Sequence, residues 1–242
     1  MPVRPLIIAH RCGPGRFPEQ SLASARHALA LGADLVEMDV RYTRDGAPVI
    51  CHDENALRVF GVDRRCGEMS LEEFRALRHA DDPGCPAHTL QEVLDSRVRP
   101  LLLHCKFSGA RLRELAACLR DRGAAGDCVL GVAEPEDVEI VRAACPGLRT
   151  LAFMPGLDRL ERFLAGPADC IRLWEDWVTP PRVRAVHAAG KRLWVMAGQP
   201  EEGSVGLTTA DALRRWRDLG ADGVLVNDVA WAMEVLRDEA EP

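Results

Sequence analysis

Four short stretches of the chain carry side chains that could move protons or hold ions: His10-Arg11, Glu37-Met38-Asp39, His52-Asp53 and His104-Cys105-Lys106. Residues two apart on an extended strand share a face. Glu37 therefore lies beside Asp39 and His104 beside Lys106, while Met38, Cys105 and Cys51 face the other way. Two carboxylates turned toward the inside of a fold are costly to ionise unless a cation answers them. A divalent metal ion would do so. Arg11 and Lys106 would then be left to hold an anion, and His10 and His52 to transfer protons. This set suits cleavage of a phosphate ester. Simpler readings compete with it: the histidines as satisfied core groups, and the carboxylates as ion-pair partners of Arg11 and Lys106.

These stretches must be brought together by the elements that carry them. Short runs rich in Val, Ile and Leu alternate with amphipathic segments, the pattern of strand–helix units feeding a parallel sheet. Eight strands are expected at Leu6–His10, Leu35–Val40, Pro100–Lys106, Cys128–Ala133, Leu148–Met154, Cys170–Trp174, Arg192–Ala197 and Gly223–Asn227, with an extra extended piece at Pro48–His52. The expected helices are Ser21–Leu31, Thr89–Asp95, Gly109–Arg122, Glu136–Ala144, Leu157–Leu164, Pro180–Ala189, Thr209–Leu219 and Val229–Arg237, with a capping-box start at Ser70-Leu71-Glu72-Glu73. Eight strand–helix repeats in 242 residues favour a closed (β/α)8 TIM barrel over an open doubly wound sheet. The whole chain, 1–242, reads as one such domain. Residues 54–99 form a rim segment, mostly loop with two short helices, over the end of the barrel where active sites lie.

Composition narrows the function class. With 47% hydrophobic and 28% charged residues, the chain is globular rather than disordered. A net charge of −6 gives no overall field for nucleic acid or anionic lipid. Nine cysteines without a C-x-x-C pair read as reduced thiols, and Cys51 and Cys105 as packed under helices. The apolar run near the N-terminus is too short for a signal or a span, so a cytoplasmic protein without stable membrane insertion is expected. Nothing in the sequence fixes an oligomeric state.

The same residues, in order and spacing, resemble the glycerophosphodiester phosphodiesterase family. The motifs are His10-Arg11, Pro18-Glu19-Gln20-Ser21, Gly32-Ala33-Asp34-Leu35-Val36-Glu37-Met38-Asp39-Val40, Thr43-Arg44-Asp45-Gly46 and Val49-Ile50-Cys51-His52-Asp53. His88-Thr89-Leu90-Gln91-Glu92-Val93-Leu94 continues the likeness, and the stretches at 190–195 and 220–228 extend it more faintly. The resemblance implies a phospholipase C-like phosphodiesterase barrel that cleaves glycerophosphodiesters to glycerol 3-phosphate and an alcohol through a cyclic phosphate. It implies His10 and His52 as general acid and base, Glu37 and Asp39 as metal ligands, and Arg11 and Lys106 at the phosphate. The implied partner is a small-molecule glycerophosphodiester, and the implied cofactor is one divalent ion, Mg²⁺ or Ca²⁺.

Three departures from the family pattern stand out. Cys12 follows His-Arg where the family has Gly, and Gln20-Ser21 replaces Asn-Thr. On the third strand the family has Glu-x-Lys: Lys106 matches and His104 does not. An imidazole ligand at 104 would shift preference toward Mn²⁺ or another transition metal; otherwise His104 faces the phosphate. Trp194 is read as a rim aromatic on the substrate, with barrel-interior packing as the competing placement. Glu19 is read as a support for Arg11 or the metal site, or a helix cap. His27, His79 and His187 are read as surface or interface groups on helices. Two rival functions remain: phospholipase D-like action on lysophospholipids, and a catalytically impaired phosphodiester-binding barrel.

Overall fold

A computed structural model describes residues 4–200 and 203–237. Eight parallel strands form a closed ring: β1 (Leu6–Ala9), β2 (Leu35–Tyr42), β4 (Leu101–Cys105), β5 (Cys128–Val132), β6 (Arg149–Ala152), β7 (Cys170–Trp174), β8 (Arg192–Met196) and β9 (Gly223–Val226). The ring closes where Ile8 pairs with Leu35 and Ala9 with Val36. The remaining strand, β3 (Pro48–Ile50), runs antiparallel to the end of β2. Helices α1 (Leu22–Ala30), α4 (Leu90–Asp95), α5 (Ala110–Asp121), α6 (Pro135–Ala144), α7 (Leu160–Ala165), α8 (Pro180–Ala188), α9 (Ala210–Leu219) and α10 (Val229–Arg237) follow the strands. Their starts carry the expected signals. Ser21, Thr89 and Thr209 accept the backbone N–H three residues on, and Pro occupies the first turn of α6 and α8.

Strand parity divides the core in two. One set of buried side chains, including Met38, Leu103, Cys105, Leu130 and Val195, packs outward against the helices. The opposite parity, with Ile8, Leu102, Val129, Leu151, Trp194 and Leu225, fills the barrel. Above that plug the inward positions turn polar, and this is where the site lies.

Several local differences from the sequence reading have plain causes. β1 stops at Ala9, because His10–Cys12 forms a single 3₁₀ turn. β2 runs two residues further than expected, because β3 folds back on it. The Thr43-Arg44-Asp45-Gly46 motif is the turn between them: Thr43 N–H donates to Ala47 O, and Gly46 takes φ +83°. The rim segment holds more structure than two helices. It adds α2 (Leu57–Phe60) to α3 (Leu71–Arg75), with a 3₁₀ turn at Cys66–Glu68, around its own core of Val49, Cys51, Phe60, Met69 and Phe74. His79 is not on a helix. It is buried in that segment against the Phe60 ring, 4.9 Å between centroids. The cysteines of the described residues are free thiols. Among the described residues, no helix is long and apolar enough to cross a membrane.

Candidate active site

The 3₁₀ turn after β1 is unusual in its backbone. Arg11 and Cys12 both have positive φ, 47° and 70°, followed by Gly13 at 68°. Non-glycine residues in this region cost about 1–3 kcal/mol each and persist only where neighbours overdetermine them. Here Ser24 Oγ donates to the carbonyls of Cys12 and Gly13, and Gln20 N–H donates to Arg11 O. The turn aims the Arg11 backbone N–H at Glu37 Oε2, 2.7 Å away, and sends the His10 ring and Arg11 side chain into the barrel mouth.

Glu37 and Asp39 face inward from β2 and are buried. Asp39 is in register with His104 on β4. Candidate donor atoms of Glu37, Asp39 and His104 all lie within 4.8 Å of one another. Burial and the neighbouring Asp39 push the Glu37 carboxyl above its ordinary range. Burial opposes ionisation of Asp39 too, but Lys106 and His104 pull it well below. Asp39 Oδ1 lies 2.9 Å from both His104 Nδ1 and Lys106 Nζ, yet neither approach is directed as a hydrogen bond, and this buried oxygen has no hydrogen-bond partner among the described residues. Two carboxylates, one of them with an unsatisfied buried oxygen, and an imidazole make a donor set that suits a divalent cation. Asp39 is held by Gln20, whose Nε2 donates to Oδ2 at 2.6 Å and whose Oε1 accepts from the Asp39 N–H at 3.1 Å. His104 stacks on Phe153 at 3.7 Å, and burial with the Lys106 charge lowers its pKa to about 3.

The two other histidines of the mouth have different partners. His10 Nδ1 is 2.8 Å from Asn227 Oδ1. The amide oxygen can only accept, so Nδ1 carries the proton and Nε2 keeps its lone pair. Burial, with the Arg11 charge, lowers the His10 pKa to about 4. His52 Nδ1 is 2.6 Å from Asp53 Oδ1. Burial lowers its pKa as well, with Asp39 and Asp53 opposing. Arg41 fixes the His52 backbone by donating twice to its carbonyl, at 3.0 and 2.9 Å. Behind His52 an ion-pair chain crosses the rim. Arg58 joins Asp53 at 2.5 Å to Glu19 at 2.7 Å, and Glu19 Oε2 lies 3.5 Å from Arg11 Nη1.

His10, Arg11, Glu37, Asp39, His52, His104 and Lys106 thus line one cavity of about 610 Å³. Glu19 stands one contact behind Arg11, and the α1 cap is Ser21. Trp194 does not line the cavity, which corrects its reading as a substrate contact. It is buried in the barrel plug with Ile8 and Leu225, in a space that Gly223 leaves open: a Cβ there would sit 2.9 Å from the indole. The aromatic wall consists instead of Phe107, Phe153 and Trp174. Arg58 and Arg172 lie outside the sequence motifs, whereas Asn227, Gln20 and Asp53 lie within them without an assigned role. The parity rule applied to Glu37 and Asp39 would have placed Arg172 and Trp174 on the inner face of β7.

Residues 10–110 match the model of the glycerophosphoryl diester phosphodiesterase family. That stretch holds every residue of the cluster. This part of the chain is similar to that family. A glycerophosphodiester phosphodiesterase of Caldanaerobacter subterraneus is 37% identical over 75 residues, 31% of either chain. A lysophospholipase D of Mus musculus is 30% identical over 159 residues, covering 60% of this chain and 48% of its own. The chain therefore matches less than half the length of these curated relatives. Among solved structures, a glycerophosphoryl diester phosphodiesterase from Silicibacter pomeroyi superposes with TM-score 0.82 at 22% identity, over 98% of this chain and 95% of its own. A phosphodiesterase from Oleispira antarctica, solved with its product sn-glycerol-3-phosphate, gives 0.79 at 20%, over 96% and 97%. These likenesses establish the barrel fold.

Proposed function

We propose that the protein hydrolyses glycerophosphodiesters to glycerol 3-phosphate and an alcohol with the help of a divalent ion. The observation that carries this reading is the shared cavity. Two imidazoles with opposite kinds of partner, His10 on an amide oxygen and His52 on a carboxylate, open onto the Glu37–Asp39–His104 donor set. Glu37, Asp39 and His104 would hold the ion, which when bound supplies positive charge to the phosphoryl oxygens. The residues do the rest. Arg11 and Lys106 hold the phosphate oxygens. His10, kept neutral with its Nε2 lone pair free, takes the proton of the glycerol hydroxyl that attacks phosphorus. His52, with Asp53 behind it to stabilise its imidazolium, gives a proton to the departing alkoxide. Water then opens the cyclic phosphate with the two roles reversed.

The donor set also bears on which ion is used. His104 Nδ1 lies among the carboxylate oxygens rather than apart from them, which favours its role as a ligand over a phosphate contact. With one nitrogen and two carboxylates, the site should prefer Mn²⁺ or another transition metal to Ca²⁺ and Mg²⁺. The likeness to the mouse lysophospholipase D keeps a second substrate class in view. Product analysis separates the two. Glycerol 3-phosphate with free alcohol from glycerophosphocholine supports the first reading. Lysophosphatidic acid from a lysophospholipid, with glycerophosphocholine untouched, would replace it.

A further inference from the structure

Across the barrel from Glu37 and Asp39 stands a cation that the proposed reaction does not use. β7 is the sixth strand of the ring and β2 the second, so Arg172 faces the carboxylates from the opposite wall. Arg172 is 2% exposed. Its guanidinium has five N–H donors. The hydrogen bond it makes is Nη2 to Met154 O, at 2.7 Å. Among the described residues, Nε and Nη1 are buried without a hydrogen-bond partner. No carboxylate pairs with it among the described residues. It is held by aromatic faces instead, with Trp174 at 4.4 Å, Phe153 at 4.7 Å and Trp177 at 5.6 Å from its guanidinium carbon. It belongs to the cavity wall, together with Phe153 and Trp174.

A buried guanidinium with unmet donors is expensive, and a structure that keeps one beside an open cavity offers those donors to something that enters it. The charge balance of the wall points the same way. The described lining residues include three permanent cations, Arg11, Lys106 and Arg172, against two carboxylates, Glu37 and Asp39. A divalent ion would widen the excess, and a phosphodiester brings only one negative charge.

Resting on the phosphodiesterase reading, we propose that Arg172 is the anion-binding residue of a second subsite, which takes a carboxylate or phosphate carried by the substrate in addition to its scissile phosphodiester. The planar guanidinium, stacked against Trp174 and Phe153, keeps unmet N–H donors on Nε and Nη1 for such a group. Substrates with an anionic alcohol portion are therefore preferred over their neutral or cationic counterparts.

Matched pairs of substrates test this. Glycerophosphoserine differs from glycerophosphoethanolamine by one carboxylate, and glycerophosphoglycerol phosphate differs from glycerophosphoglycerol by one phosphate. The quantity read is the ratio of kcat/KM within each pair, measured for the parent, R172M and R172K with the divalent ion present. The parent should favour the anionic member of at least one pair by about tenfold or more, chiefly through KM, and the pair that responds identifies the group. R172M should bring that ratio close to one, and R172K should keep part of it. A parent ratio near one in both pairs, or an R172M variant that loses rate on both members alike and keeps the ratio, overturns the proposal. Calorimetric titration of the same four compounds reads the contact without turnover. If none is hydrolysed, the phosphodiesterase reading fails, while a tighter fit of the anionic members that R172M abolishes still supports the subsite; equal binding within the pairs overturns it.

Discussion

Replacing Asn227 by Asp separates the roles of the two imidazoles, because it changes one charge at the back of His10 and almost no volume. Asn227 Oδ1 accepts from His10 Nδ1 at 2.8 Å, and the His10 pKa is held at about 4 by burial and by Arg11. A carboxylate in the same place would put a negative charge about 4 Å from the centre of the ring. At an effective dielectric of about 20 that attraction is roughly 4 kcal/mol, equivalent to about three pKa units. Part of it is lost in burying the new carboxylate, so a rise of about two units is expected. If His10 must be neutral to accept a proton, the acid limb of the kcat/KM profile moves up by that amount. Activity of Asn227→Asp then falls at pH 5 to 6 and recovers above pH 7. The assay is a pH–rate profile of the parent and the variant with one water-soluble phosphodiester, at fixed divalent ion. An acid limb that stays in place, or higher activity for the variant at low pH, would refute the assignment of His10 as the proton acceptor.

Three further outcomes follow from the site. Glu37→Gln removes one anionic donor from the set, so calorimetry should show divalent-ion affinity reduced by about tenfold or more; unchanged affinity would remove Glu37 from the ligands. His104→Glu should improve activation by Mg²⁺ or Ca²⁺ relative to Mn²⁺, whereas an unchanged ranking with a large loss of substrate affinity would move His104 to the phosphate. His10, held near pH 4 in the fold, stays unprotonated while the unfolded chain takes up a proton near 6.5, so its contribution to stability is lost as pH falls from about 6.5 toward 4. His10→Gln should therefore show a flatter dependence of the urea midpoint on pH in that window, by up to about 3 kcal/mol of unfolding free energy; equal slopes would contradict a buried neutral His10.

The barrel is legible in eight strand–helix repeats over 242 residues, and its central cluster in period-two spacing. Glu37 with Asp39 and His104 with Lys106 share faces by spacing alone, and the apolar runs of the other strands locate the walls. The reading ran short where side chains meet through tertiary packing. Nothing local to Arg58 says that it bridges Asp53 and Glu19, because that contact depends on the path of the rim segment. Gln20 reaches Asp39 only because the strained turn at Arg11 and Cys12 brings the loop over β2. Between the two placements open to Trp194, packing decides for the barrel interior. Its residue type suggested a substrate contact, but the glycine on the neighbouring strand makes room for it inside the barrel. Asn227 lies one residue beyond the end of β9, and its bond to His10 crosses the closure between the last strand and the first.

The most direct test of the account is a phosphorus NMR time course of the purified, chelator-stripped protein with glycerophosphoglycerol, run with and without added Mn²⁺, for the parent, His10→Ala and His52→Ala. The account predicts conversion to glycerol 3-phosphate in the parent only when the ion is present. Loss of either imidazole should slow it by about two to four orders of magnitude while the far-ultraviolet circular dichroism stays unchanged. Equal conversion without the ion, or a near-parental rate in either folded variant, would contradict it.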